Sequence, residues 1–290
     1  MEIKIEHLDK FYGKKQAIKD LNLTIGEGMY GLLGTNGAGK TTLMKVITTL
    51  TKKSGGEVSI CGVPVEQAKE IRSMVGYLPQ DFSMYGSMSA CEAMDYLGVL
   101  SGLTKAQRKE RIMPLLSRVN LKEEAKTKIR AMSGGMRRRL GIAQALLHDP
   151  KVLIVDEPTA GLDPEERVRF RNFLCEVARD RIVILSTHIV GDVEAACEHI
   201  GVLDKGELIF NGTVEELLSL ADGQVYRAEI SRLELPKVQE MYQVTSILTT
   251  GGTASIRFIS EEPPAFSAEK CSAGVEDAYL YLMHMERRGF

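Results

Sequence analysis

The stretch Gly34-Thr35-Asn36-Gly37-Ala38-Gly39-Lys40-Thr41 fits the phosphate-loop pattern G-x-x-x-x-G-K-[ST] in full. The apolar run from Met29 to Leu33 can form a strand before it, and Thr42 to Ile47 can form a helix after it. Glycines let successive backbone N–H groups point at one phosphate, and the helix N-terminus adds positive charge at that point. The stretch therefore predicts a phosphate cradle in which Lys40 reaches the β- and γ-phosphates and the Thr41 hydroxyl ligates Mg²⁺.

Two acids follow another predicted strand. Val152 to Val155 is a short, β-branched run that is typical of a parallel strand buried on both faces, and Asp156 and Glu157 come directly after it. A carboxylate at such a strand end can ligate the metal of a nucleotide site, and a second acid can polarise an attacking water. We predict a metal ligand at Asp156 and a catalytic base at Glu157. A solvated acid that ends the strand is the alternative for Glu157.

The surrounding pattern predicts an α/β fold. Ile182 to Leu185 forms a second buried strand, and the charged stretch from Pro164 to about Arg179 has helical apolar spacing. Strand, helix and strand in that order indicate a βαβ unit and a doubly wound sheet. Near the start of the chain, Ile3 and Ile5 alternate with charged residues, which indicates a strand with one exposed face.

Two further regions have a different character. From Met88 to Leu147 the chain contains no convincing strand, which predicts a helical subdomain of about residues 84–147. Beyond residue 220 come strand-like runs and then a final helix whose apolar residues fall on one face, at Val275, Ala278, Tyr279 and Leu282. We predict a larger domain of residues 1–220 and a small α+β domain of residues 221–290.

The composition excludes several classes of protein. Lys+Arg 37 against Asp+Glu 39 gives a net charge of −2, so no overall basic field would attract nucleic acid. Mean hydropathy is −0.09, and no window approaches the roughly 18 to 20 apolar residues of a membrane helix. The five cysteines contain no CxxC pair, which favours incidental thiols in a reducing compartment. We expect a cytoplasmic protein without a nucleic-acid partner.

At this point the chain resembles the ATP-binding-cassette ATPases, from about residue 2 to residue 220. The resemblance implies a P-loop NTPase-type mixed sheet with flanking helices and an antiparallel β edge. It implies nucleotide contacts from Gly34 through Thr42 and a tyrosine, Tyr12, that stacks on adenine; a plain strand-edge tyrosine is the alternative. Gln80 stands at the glutamine that senses Mg²⁺ and communicates with a membrane partner, against the alternative of an ordinary loop amide.

The run Met132-Ser133-Gly134-Gly135-Met136 stands at the family signature. The usual pattern begins with Leu and ends with Gln, so Met132 and Met136 depart from it, whereas Ser133, Gly134 and Gly135 are intact. The resemblance implies that Ser133 caps a helix whose positive end faces the γ-phosphate held by an opposing subunit. The basic run from Arg137 to Arg139 that follows is more typical of a solvated or pairing helix face than of a nucleic-acid site.

Two later motifs complete the resemblance. Ala160-Gly161-Leu162-Asp163 resembles the loop whose aspartate, here Asp163, couples the two sites of a dimer. The residue before Ala160 is Thr159, a mild departure from the small polar residue that is usual at that position. His188 stands at the family's switch histidine, which implies a hydrogen bond to the γ-phosphate and a hold on the attacking water together with Glu157.

The resemblance also implies partners and a cellular role. ATP and Mg²⁺ would be bound twice in a head-to-tail dimer with a second copy of the chain or a similar cassette subunit. The dimer would energise an integral membrane permease, at the inner face of the cell membrane, and the short C-terminal domain resembles the bacterial drug, antibiotic and polysaccharide exporter branch. A permease-docking surface is expected around four apolar residues, for which ordinary packing in the helical insert is the alternative: Phe82, Met84, Tyr85 and Met88. A soluble cassette ATPase acting in translation, DNA repair or chromosome maintenance is the alternative function.

Overall fold

The structure, a computed structural model, describes residues 1–159 and 162–288, and for residues 287 and 288 it describes the backbone alone. The chain forms two compact units, one of Met1–Asn211 and one that begins at Gly212. The short helix Val214–Leu220 lies in the second unit. The functional division into residues 1–220 and 221–290 stays a prediction.

Strands and helices alternate through the first unit. In chain order, the strands are β1 (Ile3–Tyr12), β2 (Lys15–Ile25), β3 (Gly28–Gly34), β4 (Gly55–Ile60), β5 (Val63–Pro64), β6 (Val75–Leu78), β7 (Val152–Asp156), β8 (Ile182–Thr187), β9 (His199–Asp204) and β10 (Glu207–Thr213). The helices are α1 (Lys40–Ile47), α2 (Ala68–Met74), α3 (Ala90–Leu100), α4 (Lys105–Arg118), α5 (Gly134–Leu146), α6 (Pro164–Val177) and α7 (Val190–Glu194).

A six-stranded sheet with the order β10-β9-β3-β8-β7-β6 forms the centre of this unit. Its strands from β9 to β6 pair in parallel, and every residue of β7 and β8 is buried. Each such Val, Ile or Leu stabilises the fold by about 1.5–3 kcal/mol. The predicted βαβ unit is confirmed as β7, α6 and β8. Because parallel strands end at a common edge, the carboxyl ends of β3, β7 and β8 lie together.

A separate antiparallel sheet has the order β2-β1-β4-β5. Ile3 pairs with Ile25 on one side and with Ile60 on the other, and all three side chains are buried. Glu2 and Lys4 are exposed, so the predicted alternation along β1 is confirmed. This sheet is the antiparallel β element expected from the family resemblance.

The stretch from Met88 to Leu147 is helical. Helices α3 and α4 each begin with a capping box, formed by Ser89 with Glu92 and by Thr104 with Gln107. Such reciprocal caps satisfy two backbone N–H groups that would otherwise lack partners. Within this stretch, which the structure describes throughout, the only strand-like pairing is an isolated bridge between Ser89 and Lys128.

The second unit is a small α+β domain. Its elements are α8 (Val214–Leu220), β11 (Val225–Ser231), α9 (Leu235–Met241), β12 (Gln243–Thr250), β13 (Thr253–Ile259), β14 (Glu269–Lys270) and α10 (Val275–Arg288), with the antiparallel sheet order β12-β13-β11-β14. The fully buried Phe258 packs against three aromatic rings whose centroids lie between 5.0 and 5.8 Å from its own, those of Tyr226, Tyr242 and Phe266. The predicted apolar face of α10 is confirmed, with Tyr279 half-buried and Val275, Ala278 and Leu282 buried.

No helix in the described ranges has the length and the apolar character that crossing a membrane requires.

Candidate active site

The phosphate-loop sequence connects β3 to α1 and leaves the start of that helix open. Gly39 is the N-cap residue of α1, in the left-handed region with φ 114°, and no side chain caps the helix there. A Cβ on Gly39 would lie 2.9 Å from the Ala17 carbonyl oxygen, so the position requires glycine for two reasons. The first backbone N–H groups of α1 consequently have no side-chain acceptor and are available to an anion.

Lys40 is the first residue of α1, and its side chain folds back over the loop. Its ammonium donates to the Gly34 carbonyl oxygen at 2.6 Å and approaches the Thr35 carbonyl oxygen at 3.4 Å. It also lies 3.5 Å from Glu157 Oε1, and the lysine is only 6% exposed. A buried cation between loop carbonyls and a carboxylate is placed to bind negatively charged oxygen atoms.

Asp156, at the end of β7, is completely buried and holds two hydroxyl groups. Thr41 Oγ1 donates to one of its carboxylate oxygens at 2.9 Å, and Ser186 Oγ donates to the other at 2.9 Å. Burial raises the pKa of Asp156, and these two hydrogen bonds oppose the shift. Ser186 was not predicted as a site residue. Its place opposite Asp156 follows from the β7–β8 register, in which the two residues pair directly.

The oxygen atoms of Asp156 and Thr41 suit a hard cation that also keeps water and substrate oxygens as ligands. In the part of the chain that the structure describes, no group of three or more His, Cys, Asp or Glu side chains could hold a metal ion. Of the predicted ligands, Asp156 and Thr41 are in contact and would offer one carboxylate and one hydroxyl. Mg²⁺ is commonly held by one or two carboxylates together with phosphate oxygens and water, so these residues fit it.

Glu157 is buried, and one of its carboxylate oxygens accepts no hydrogen bond. Oε2 lies 2.8 Å from His188 Nδ1, whereas Oε1 has no hydrogen-bond partner among the described residues. The backbone of Glu157 is left-handed, with φ 49°, which costs a non-glycine residue about 1–3 kcal/mol. Its N–H donates to the Ser186 carbonyl oxygen at 2.9 Å. An oriented carboxylate oxygen that accepts no hydrogen bond, with only the Lys40 ammonium 3.5 Å away, is free to accept a proton from water as a general base does.

Lys40, Thr41 and Glu157 border a cleft of about 810 Å³, whereas Asp156 and His188 are not part of its lining. Its lining includes most of the phosphate loop, together with Tyr12, Gln80 and Glu157. Four lysines also line it, against the single carboxylate of Glu157: Lys15, Lys19, Lys40 and Lys205. Tyr12 is 47% exposed, and the ammonium of Lys10 lies 4.8 Å from its ring centroid. The cleft has the volume of a small-molecule site and the charge to attract a polyanion.

Two groups of predicted residues lie elsewhere. Ser133 is the N-cap of α5 and accepts a hydrogen bond from the Met136 N–H at 3.1 Å, and Asp163 is the N-cap of α6 and accepts from the Glu166 N–H at 2.9 Å. Neither residue lines the cleft, and neither do Gly134 and Gly135. The predicted Ala160 and Gly161 lie outside the described residues.

Arg138 belongs to the basic run that the sequence assigned to a solvated or pairing face, and its environment differs from that of its neighbour. Arg137 is exposed and donates to the Met132 carbonyl oxygen at 2.6 Å. Arg138 is half-buried, and its guanidinium donates to four backbone carbonyl oxygens, those of Gln80, Asp156, Glu157 and Pro158. Burial lowers the pKa of Arg138, and the charges of Asp156, Glu157 and Asp81 oppose that shift. A run of three arginines does not by itself show which of its side chains pack against the rest of the protein.

Known proteins match this chain over most of its length. The profile of the ABC transporter family matches residues 18–160. The linearmycin resistance ATP-binding protein LnrL of Bacillus subtilis (strain 168) is 34% identical over 83% of this chain and 78% of its own length. A Nod factor export ATP-binding protein I, from Cupriavidus pinatubonensis, is 33% identical over 99% of this chain and 92% of its own length.

The chain belongs to the ABC transporter ATP-binding proteins. A solved structure agrees with this assignment, that of the ATP-binding cassette MJ0796 as a dimer in a post-hydrolysis state bound to ADP and Pi. It matches 73% of this chain and 98% of its own, with 25% identity and a TM-score of 0.67. The fold predicted for this ABC protein is confirmed, and membership in the family makes it an ATP-binding protein and an ATPase.

Proposed function

We propose that this ABC protein energises export through a separate membrane-spanning partner, by closing and opening a head-to-tail dimer around ATP. The observation that carries the catalytic part is the meeting of Lys40, Asp156 and Glu157 at one edge of the central sheet. Export is supported by the names of two relatives, which state linearmycin resistance and Nod factor export. The cargo would contact the membrane partner and not this chain.

The phosphate loop is proposed to bind the triphosphate. Backbone N–H groups from Gly34 to Thr42 would surround the β-phosphate, and Lys40 would exchange its contact with the Gly34 carbonyl oxygen for phosphate oxygens. Tyr12 would stack on adenine, with its exposed ring held by the ammonium of Lys10. The other lysines of the cleft would add a long-range attraction for the polyanion.

Thr41, Asp156 and Gln80 are proposed to hold Mg²⁺. Thr41 and Asp156 are in contact with each other, and Gln80 borders the same cleft. When bound, Mg²⁺ supplies positive charge against the oxygens of the β- and γ-phosphates. Ser186 keeps the Asp156 carboxylate in position by its hydrogen bond.

Glu157 is proposed as the general base and His188 as its companion. A water that donates to Glu157 Oε1 would lose its proton to that oxygen while attacking the γ-phosphorus. The bond from phosphorus to the bridging oxygen breaks, and the products are ADP and inorganic phosphate. His188 lies against Glu157 Oε2, where it would orient the carboxylate and also reach the γ-phosphate.

A second cassette is proposed to complete each site. Ser133, Gly134 and Gly135 do not border the cleft of their own chain, and Ser133 and Gly134 are exposed to solvent. The start of α5 is therefore accessible to the γ-phosphate held by another subunit, either a copy of this chain or a similar cassette. Asp163, which caps α6 outside the same cleft, would couple the two sites across the dimer.

The membrane partner is proposed to dock near Gln80. Among the four apolar residues expected there, Tyr85 is 62% exposed, whereas Phe82, Met84 and Met88 are half-buried. Tyr85 packs edge-on against Tyr96, which is also exposed. This arrangement favours a peripheral protein at the inner face of the cell membrane over a nucleic-acid-binding protein, in keeping with the net charge of −2.

The experiment that tests this function has two arms. The purified protein should hydrolyse ATP in the presence of Mg²⁺. It should lose this activity in excess EDTA, because EDTA removes the metal ion whose positive charge offsets the negative charge of the phosphates. Affinity purification from membranes should recover a multi-helix membrane protein. Hydrolysis that continues in EDTA would contradict the metal assignment. Purification with ribosomes or DNA in place of a membrane protein would favour the soluble alternative.

A further inference from the structure

The basic residue Arg138 joins three separate segments around the candidate base. It lies on α5, and its guanidinium reaches the Gln80 carbonyl oxygen at 2.7 Å, the Pro158 carbonyl oxygen at 3.0 Å and the Asp156 carbonyl oxygen at 3.1 Å. It also donates to the Glu157 carbonyl oxygen. One side chain thus connects α5, the segment after β6 and the end of β7 with the turn that follows it.

These contacts require arginine and not merely a positive charge. The guanidinium has five N–H donors in a fixed planar fork, whereas a lysine ammonium presents three donors from one point. Arg138 uses Nε and both terminal nitrogens on carbonyls that belong to different segments. All four of these partners are neutral carbonyl oxygens, and no described acid forms a direct ion pair with Arg138.

The backbone of Glu157 is held at both of its polar groups. Its N–H donates to the Ser186 carbonyl oxygen on β8, and its carbonyl oxygen accepts from Arg138. Between these two contacts the residue keeps the left-handed conformation with φ 49°. Its side-chain direction, and therefore the position of Oε1, which accepts no hydrogen bond, depends on that conformation.

We propose that Arg138 is a positioning residue that holds Glu157 and Gln80 in their catalytic arrangement and links them to the start of α5. The proposal rests on the proposed function, because it acts through Glu157 as the base. Arg138 lies four residues after Gly134, which is about one helical turn. A displacement of the N-terminus of α5 would therefore move the Arg138 guanidinium with it. ATP bound across the dimer at Gly134 would in this way act on the base of the same chain.

Arg138→Met is the direct test, because it keeps an unbranched side chain of similar length and removes every donor. We expect kcat for ATP hydrolysis to fall at least about tenfold, since sub-ångström misplacement of a base is costly, while the Kd for ATP changes less than about threefold. Arg138→Lys should recover part of kcat. Arg111→Met is the matched control, because its guanidinium donates to a single carbonyl, that of Leu147, and it should change kcat less than about twofold.

A double-mutant cycle separates positioning from general structural damage. In a Glu157→Gln background, Arg138→Met should alter the residual hydrolysis rate less than about twofold, because its effect passes through the carboxylate. An equal loss in both backgrounds would overturn the proposal, as would an unchanged kcat in Arg138→Met. If Arg138→Met does not fold, as judged by its denaturation midpoint, Arg138→Lys decides, and wild-type kcat there overturns the proposal. Wild-type turnover by Glu157→Gln alone would instead overturn the proposed function itself.

Discussion

Helices α1 and α5 begin in opposite ways. Helix α1 begins at Lys40, after a left-handed glycine that offers no side-chain cap, and this end borders the cleft. Helix α5 begins at Gly134, after Ser133, whose hydroxyl accepts from the Met136 N–H, and this end is exposed and away from the cleft. Both N-termini carry the partial positive charge of a helix.

The difference indicates how each end meets a phosphate. The first four N–H groups of a helix lack partners inside the helix. At α1 these donors are left to the ligand of the same chain, and Lys40 adds a full charge. At α5 one donor is already satisfied by Ser133, and under the proposed function the remaining donors would face a ligand presented by another subunit. Under the proposed function, a site of the same chain and a site completed by another chain would both use a helix N-terminus.

The largest effect should come from removing the cation at α1. Lys40→Ala should weaken ATP binding by about ten- to a hundredfold, because a charge-assisted contact to phosphate contributes about 1.5–3 kcal/mol. Isothermal titration calorimetry with ATP measures the Kd of the variant and of the wild type. Lys45→Ala, on the exposed side of the same helix, is the matched control and should bind ATP normally. Tight ATP binding by Lys40→Ala would break the assignment of α1 as the phosphate-binding end.

A smaller effect should separate the two helices by their glycines. Gly39→Ala should destabilise the chain by about 1–3 kcal/mol, because φ is 114° and the new Cβ would lie 2.9 Å from the Ala17 carbonyl oxygen. Gly134→Ala has no neighbour within 4 Å and an unstrained backbone, so its free energy of unfolding should stay within about 0.5 kcal/mol of wild type. Urea denaturation compares the two. Equal stabilities would mean that the α1 turn does not need its glycine.

The smallest effect concerns the cap of α5. Ser133→Ala should cost about 1 kcal/mol of unfolding free energy, and Thr104→Ala, which removes the cap of α4, should cost a similar amount. Only Ser133→Ala should also lower ATP hydrolysis, because only this cap lies at the end proposed to face a phosphate. Denaturation and ATPase assays on the pair sharpen the comparison. Equal ATPase activity in the two variants would reduce Ser133 to a structural cap.

The sequence predicts the parts of this fold that depend on neighbouring residues. The phosphate loop between β3 and α1, the buried runs of β7 and β8, and the apolar face of α10 all follow from local spacing. The contact of Ser186 with Asp156 depends instead on the register of two strands thirty residues apart in sequence. Arg138 could not be chosen from its run of three arginines, because the orientation of α5 against β6 and β7 decides which side chain reaches the carbonyls next to the candidate base.

The candidate base shows the same limit. The place of Glu157 after a buried strand predicts a catalytic base there. Neither its left-handed backbone nor the lack of a hydrogen bond to Oε1 is visible in the sequence. Both depend on Ser186, His188 and Arg138, which come from β8, the segment after it and α5. Local patterns therefore predict the candidate reacting groups, and tertiary packing determines how these side chains are held.

The most direct test of the account is single-turnover ATP hydrolysis by Glu157→Gln, with bound ATP measured in the same samples. The account predicts ATP binding near the wild-type level and hydrolysis slower by at least about a hundredfold, because an amide cannot accept the proton of the attacking water. Glu165→Gln, an exposed acid on α6, is the matched control and should hydrolyse at the wild-type rate. Wild-type hydrolysis by Glu157→Gln would contradict the account, since the base would then lie elsewhere.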